Sequence, residues 1–431
     1  MDHPKMQYTY VGVDSHKAVH TAVFIDCFFE KLGEISFDNM PSGFPAFLND
    51  ARKYQADGTS LLFGLEDMGM YGRTLAKFLM ENGIEVKHVN AVLVARERRN
   101  QTVTQKSDSV DAECAARVLL SKFSSLPDAA PDNEFWMLRT LVMRRGFIIK
   151  NNASLKNHLH SILTQHYPNY RTLFANIDSK ASLAFFMRYP SPSALEDVTP
   201  EELTQFLRKA SDNRVGAGKS ASVRAMEILD TLQDTTVPFQ EIRDEAVRST
   251  IRQIEANLKE IEQQERTIAV FLKQFDCTLT SMNGIDVICA AQILSCIGDI
   301  RKFPSSAKLA RYSGIAPVSY SSGQKHLNFA NQRGSRELNS IFHQLAVRLI
   351  SGSQNKMKNA FFYEYYRRKL SEGKTRRQAL KCVERRLVNI IWSMLTYSEE
   401  YVNPPILDVP KEPQEEYCVE NDSDSSERKV V

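Results

Sequence analysis

The sequence contains no run of about 18 apolar residues, the length a helix needs to cross a hydrocarbon layer, so no membrane span is expected. Its first ten residues, MDHPKMQYTY, lack the basic-then-apolar pattern of a signal peptide. The seven cysteines form no CxxC pair and no Cys/His ligand spacing, and their number is odd. Neither a disulfide framework nor a structural zinc site is expected, and reduced thiols in a cytoplasmic protein are the simple reading. A complete phosphate-loop pattern is also absent. Arg214-Val215-Gly216-Ala217-Gly218-Lys219-Ser220 carries two glycines and a Lys-Ser pair, but it lacks the GxxxxGK[ST] spacing and a preceding buried strand, and it reads as a flexible turn.

What is present fits an ordinary globular chain. At 431 residues, with 42% hydrophobic and 25% charged residues, it is long enough for two or three domains. The net charge of +3 hides an asymmetry. Residues 276–400 hold 19 Lys/Arg against 9 Asp/Glu, whereas residues 401–431 hold 3 against 8. A basic C-terminal third suits a polyanionic partner, because each Lys or Arg set on a phosphate releases a counterion; a solvated face with spread charge is the alternative.

The pattern divides the chain into four regions: 1–125, 126–275, 276–400 and 401–431. In the first, Tyr8–Asp14, Val19–Ile25, Lys31–Phe37, Ser60–Leu65 and Ile84–Val89 read as strands. Phe44–Lys53, Tyr71–Glu81 and Asp108–Phe123 read as helices. Three antiparallel strands followed by alternating helices and strands fit a ribonuclease-H-like α/β sheet. Leu126–Pro131 reads as a linker. Region 126–275 is almost wholly helical, and Val247, Ile251, Ile254, Leu258, Ile261, Glu265, Ile268, Leu272 and Phe275 alternate spacings of four and three, a coiled-coil seam with Glu265 as its one polar member. Its length favours pairing with a second subunit. The last 31 residues, rich in Pro, Glu, Asp and Ser, are expected to be disordered.

Four acidic residues carry the candidate chemistry. Asp14 and Glu66 each follow an apolar strand-like run, and Asp108 and Asp111 lie three apart at the start of an Ala-rich helix, on one face. Such a set supplies the hard oxygen ligands that Mg²⁺ prefers. Each member has a plainer role: Asp14 as a turn residue, Glu66 as a solvated loop residue, Asp108 as an N-cap and Asp111 as a helix-dipole partner. Their order along the chain is that of a ribonuclease-H-like metal site.

A second constellation lies at 311–339, RYSGIAPVSYSSGQKHLNFANQRGSRELN, where Ser321-Ser322-Gly323 sits among Arg311, Lys325, His326, Arg333 and Arg336. A hydroxyl among cations is a plausible nucleophile toward a phosphodiester, while an SSG turn is the commoner use of these residues. Upstream, Ser281-Met282-Asn283-Gly284-Ile285-Asp286 resembles a helix-hairpin-helix turn or a plain helical connection. Downstream, Phe361–Lys369 and Gly373–Gln378 interleave aromatic and basic residues; the Arg/Lys face suits nucleic acid and most rings suit core packing.

Taken together, VGVDSHK, the Glu66 strand, KSDSVDAECAARVL, MNGIDVICAAQILSCIGDIRKFPSSAKLARYSGIAPVSYSSG and NQRGSRELN resemble the DEDD-type transposases of the IS110 insertion-sequence family, which includes the Piv and MooV DNA invertases. The likeness spans about residues 8–400. It implies an N-terminal RuvC-like domain in which Asp14, Glu66, Asp108 and Asp111 bind Mg²⁺. It implies a mostly helical C-terminal transposase domain with Ser322 as nucleophile and Ser321 as its one-residue rival. It also implies an RNA-guided recombinase: a structured noncoding RNA pairs with target and donor DNA, a tetramer sets one subunit's acidic domain against another's serine domain, and cleavage gives a covalent phosphoserine. Action at the bacterial nucleoid follows. The alternatives are a water-using structure-specific nuclease such as a Holliday-junction resolvase, a Piv-like site-specific invertase, and a non-enzymatic RNA- or DNA-binding protein with an inactive ribonuclease-H-like fold, against which the four filled acidic positions argue. The sequence near 170–240 and the acidic tail depart from the family pattern.

Overall fold

A computed structural model describes residues 3–66, 71–100, 107–129, 134–167, 170–212, 221–230, 238–322, 325–329, 331–332, 334–351 and 359–403; at 166, 319–322 and 325–328 it describes the backbone alone. The acidic tail beyond 403, the 214–220 stretch, Gly323 and Arg333 lie outside the described residues. The chain divides into two compact units, Met1–Met137 with Ile297–Lys308, and Leu138–Cys296 with Leu309–Val431.

The first unit is built on β1 (Tyr8–Ser15), β2 (Val19–Ile25), β3 (Lys31–Asp38), α1 (Phe44–Ala51), β4 (Ser60–Leu65), α2 (Arg73–Glu81), β5 (Glu85–His88), α3 (Ala91–Asn100) and α4 (Asp108–Lys122). The strands form one mixed sheet in the order β3-β2-β1-β4-β5. β1, β2 and β3 pair antiparallel, while β1 and β4, then β4 and β5, pair parallel. Alternation along each strand sends successive side chains to opposite faces. Val11, Val13, Phe24 and Phe63 bury against Phe44, Phe47, Leu75 and Leu79 of α1 and α2. Tyr10, Val23, Ile25 and Leu62 bury against Ala112, Ala115, Ala116 and Leu119 of α4. The sheet is thus covered on both sides, which explains why its central strands read as nearly unbroken apolar runs.

Gly12 sets how closely α4 approaches the sheet. A Cβ there would fall 2.1 Å from the Ala112 carbonyl oxygen and 2.2 Å from the Ala116 nitrogen, so only glycine lets the helix backbone lie on β1. Ala112 and Ala116 are the matching small residues one turn apart.

The second unit is mostly helical: α5 (Glu134–His166), α6 (Tyr170–Leu173), α7 (Lys180–Arg188), α8 (Pro200–Ala210), α9 (Ala221–Asp230), α10 (Gln240–Leu272), α11 (Val287–Ile297), α12 (Ser306–Tyr312, whose first residues belong to the other unit), α13 (Arg336–Ser351), α14 (Ala360–Ser371) and α15 (Arg376–Tyr397), with a hairpin of β6 (Val318–Ser322) and β7 (Lys325–Phe329). The apolar seam on α10 has partners inside the chain. Val247, Ile251 and Ile254 join Leu159 and Leu163 of α5 and Phe185 and Phe186 of α7 in one core. Glu265 accepts from Arg145 of α5, with Nε at 2.9 Å and Nη2 at 2.6 Å. Leu258, midway, is 36% exposed. The one polar seam residue therefore marks an ion pair with α5 of the same chain. Farther on, Phe361, Phe362 and Tyr365 of α14 are buried and Arg367 is exposed, so most of the rings serve the core.

Candidate acidic centre and serine hairpin

Parallel pairing sets Val13 opposite Leu65, so Asp14 and Glu66, the next residues, lie side by side at the C-terminal ends of β1 and β4. Neighbouring strands are about 4.8 Å apart. Helix α4, held down on β1 at Gly12, brings its first turn to the same edge. Ser107 caps that helix by accepting from the Val110 N–H at 3.3 Å, which leaves Asp108 free of the N-cap role. Asp108 and Asp111 both lie in the first turn of α4, at the positive end of its dipole.

Two basic side chains complete the edge. His16 lies two residues beyond Asp14, and its Nε2 stands 3.2 Å from Asp14 Oδ2 and 3.3 Å from Asp108 Oδ1. Arg98 of α3 donates from Nη1 to Asp111 Oδ1, and Glu66 also acts electrostatically on this guanidinium. Strand register puts Glu66 at the same edge, and Asp108 and Asp111 act electrostatically on Asp14. Its pKa is raised, first by burial and then by the negative charges of Asp108 and Asp111, with His16 acting in the other direction. Asp14 and Asp111 are nearly buried at 13% and 11% side-chain exposure, whereas Asp108 at 62% faces solvent.

Ligand atoms of Asp14, His16 and Asp108 lie within 4.8 Å of one another, close enough to share one ion. The donor set suits a divalent cation: carboxylate oxygens satisfy hard ions, and an imidazole nitrogen adds a donor common around first-row transition metals. Asp111 is committed to Arg98, so the guanidinium must shift or share for this carboxylate to ligate. Sequence reasoning did not single out His16 or Arg98. A period-of-two reading of Asp14-Ser15-His16 could have found the first. Arg98 carries no local signal, because only the packing of α3 on α4 brings it to Asp111.

Ser322 ends β6, where it pairs with Lys325 of β7, and Ser321 pairs with His326. These serines thus end the first strand of a hairpin, immediately before its connection to β7. Gly314, at φ +72°, passes so near Gly334 that a Cβ on the latter would fall 2.3 Å from the Gly314 backbone, which anchors the start of the hairpin to the segment leading into α13. Asn339 of α13 donates to the Ser313 carbonyl at 3.0 Å, and Asn331 to that of Arg311 at 2.8 Å. Arg311 and Arg336 are exposed. The Gly284 turn, at φ +101°, precedes α11, but Asp286 accepts from Cys289 N–H at 2.7 Å and occupies that helix start itself. The acidic residues fall in the first unit and the serines in the second.

A DEDD-type IS110 transposase model matches residues 11–168, and a model of the IS116/IS110/IS902 transposase family matches residues 277–362. Together they span more than half of the chain. It belongs to the IS110 family of transposases. IS110-family relatives cover it broadly. The insertion element IS116 uncharacterized 44.8 kDa protein of Streptomyces clavuligerus is 25% identical over 389 residues, 90% of this chain and 94% of its own. The corresponding IS110 protein of Streptomyces coelicolor is 30% identical over 56% of this chain and 58% of its own. A pilin gene-inverting protein of Moraxella bovis is 27% identical over 28% of this chain and 37% of its own. The four acidic residues lie inside the first family match and Ser322 inside the second, so each constellation falls in a segment shared with the family.

Proposed function

We propose that this transposase is an RNA-guided DNA recombinase that cuts and rejoins strands through a metal-assisted acidic centre and a covalent phosphoserine. The observation that carries the reading is the ion-sized cluster of Asp14, His16 and Asp108, with Glu66 on the neighbouring strand and Asp111, held by Arg98, on the same helix turn as Asp108. Mg²⁺ held there would stabilise charge on the attacking and leaving oxygens. Ser322 Oγ forms a bond to the phosphorus, the phosphorus–sugar-oxygen bond breaks, and the proton lost by the hydroxyl is balanced by one gained at the departing sugar oxygen. Arg311 and Arg336 hold the phosphate backbone, each through the planar fork of its guanidinium. The basic 276–400 segment supports a nucleic-acid surface. Guidance by a structured noncoding RNA and assembly as a tetramer rest on the family resemblance. The pilin gene-inverting relative favours a second reading with the same chemistry, a site-specific invertase.

The test is trapping of the protein–DNA adduct on a nicked substrate with co-purified RNA. Ser322→Ala should remove the adduct and Asp14→Asn should prevent strand cleavage, both with unchanged circular dichroism. Adducts that persist in Ser322→Ala and vanish in Ser321→Ala would move the nucleophile by one residue. Cleavage without any adduct would instead favour the water-using nuclease.

A further inference from the structure

The central helical segment carries a second candidate site. A pocket of about 620 Å³ opens between one stripe of α5 and the chain from α6 to the start of α7. Ala153, Lys156, Asn157 and His160 recur at the i, i+3, i+4, i+7 spacing that puts them on one helical face. The opposite wall runs from Tyr170 to Asp178. That wall begins beyond residue 168, where the first family match ends, and finishes well before residue 277, where the second starts.

The polar groups are arranged rather than scattered. Tyr170 is 5% exposed, and its hydroxyl is a hub: it lies 2.8 Å from His160 Nδ1, donates to the His160 carbonyl at 3.2 Å and accepts from Arg171 Nε at 3.1 Å. The bond at Nε fixes the Arg171 guanidinium, while its two terminal nitrogens and the side-chain amides of Asn157 and Asn176 make no hydrogen bond among the described residues. Lys156 pairs with Asp178 at 2.9 Å. His160 has a lowered pKa, from burial first and then from Arg171 and Lys156, with Asp178 opposing. The mouth is therefore biased toward anions. Phe174, half-buried against Phe185 and Phe186, adds an aromatic wall.

We propose that this pocket binds one unpaired nucleotide of a single-stranded nucleic acid, with Arg171 and Lys156 on the phosphate, Phe174 beside the base and the Asn157 and Asn176 amides on the base edge. Cations fit the phosphate. Amides offer donor and acceptor together, as a base edge requires. Its volume lies within the roughly 300–1,000 Å³ of small-ligand sites. Unpaired bases splayed onto aromatic rings are the usual target of sequence-reading RNA contacts. The inference rests on the nucleic-acid reading above but not on RNA guidance of recombination.

The experiment is equilibrium binding of fluorescein-labelled eight-nucleotide single strands, RNA in one arm and DNA in the other, to the full chain. Arg171→Glu should weaken binding at least tenfold, and the Asn157→Ala, Asn176→Ala pair about threefold. Lys209→Glu, an equal charge change on exposed α8, should leave affinity within twofold. Ribonucleoside monophosphates should compete, and stronger binding in the RNA arm would name RNA as the source. Equal losses in Arg171→Glu and Lys209→Glu, or competition by an acidic peptide but by no nucleotide, overturn the proposal. Recombination that proceeds without RNA while the oligonucleotide data hold would remove the guide from the mechanism and leave the pocket in place.

Discussion

The acidic edge of the sheet unit and the pocket of the helical unit solve opposite electrostatic problems. At the sheet edge, Asp14 and Asp108 meet around His16, Asp111 pairs with Arg98, and strand register sets Glu66 beside Asp14. In the pocket, Lys156, Arg171 and a neutral-biased His160 face a single carboxylate, Asp178, and two amides stay open. The first is organised to receive positive charge and the second negative. Their scaffolds differ in the same sense. Strand ends hold carboxylates rigidly because β register sets their spacing, whereas the pocket depends on how a long helix packs on the segments after it.

The largest expected effect comes from breaking the sheet side of this comparison at Gly12. Gly12→Ala places a methyl group against the α4 backbone and should destabilise the unit by about 3 kcal/mol, the cost of overpacking a closed core. Thermal unfolding should fall by several degrees and cleavage should be lost as Asp108 and Asp111 move from Asp14. A Gly12→Ala chain with wild-type melting would show that α4 does not need this contact.

Arg98→Met should have a smaller effect that depends on metal. In chelator, Asp111 loses its partner cation, and hydrogen exchange in α3 and α4 should quicken. Added Mg²⁺ or Mn²⁺ should slow it again, by more than in the wild type. If the ions protect both proteins equally, Arg98 is not the charge that an ion replaces.

The smallest concerns His20, fully buried beside Phe37 and Phe44, where the Asn39 side chain opposes the effect of burial only in part. Burial lowers its pKa below the ordinary 6.5. The unfolded chain therefore takes up the proton first as pH falls, and stability drops from about pH 6.5 down toward the lowered folded value. His20→Leu should make β2 exchange less pH-dependent between pH 7 and 5. An unchanged dependence would assign the acid sensitivity to other groups.

Much of the sheet unit was legible beforehand. Its strands and main helices fall within a few residues of their expected places because each face of the sheet is buried and period-two or period-3.6 patterns survive in the sequence. Helix α3 escaped notice: its Ala91–Asn100 sequence buries only Val94 and presents little apolar periodicity. The β6–β7 hairpin was missed although Val318-Ser319-Tyr320-Ser321 and His326-Leu327-Asn328-Phe329 alternate, because each strand is only five residues long and its polar members read as loop. The seam on α10 was visible as a repeat, but a repeat specifies an apolar face and not the surface that covers it.

The sequence by itself determined the alternation of elements, the four acidic residues at their strand and helix ends, and the family, because local periodicity and short motifs are written in consecutive residues. Only tertiary structure decided that His16 and Arg98 share the acidic edge, that Glu265 meets Arg145 of the same chain, and that Lys156, Tyr170 and Arg171 enclose a pocket. Those meetings depend on packing between segments, and packing is set by shape complementarity that no single stretch of sequence contains.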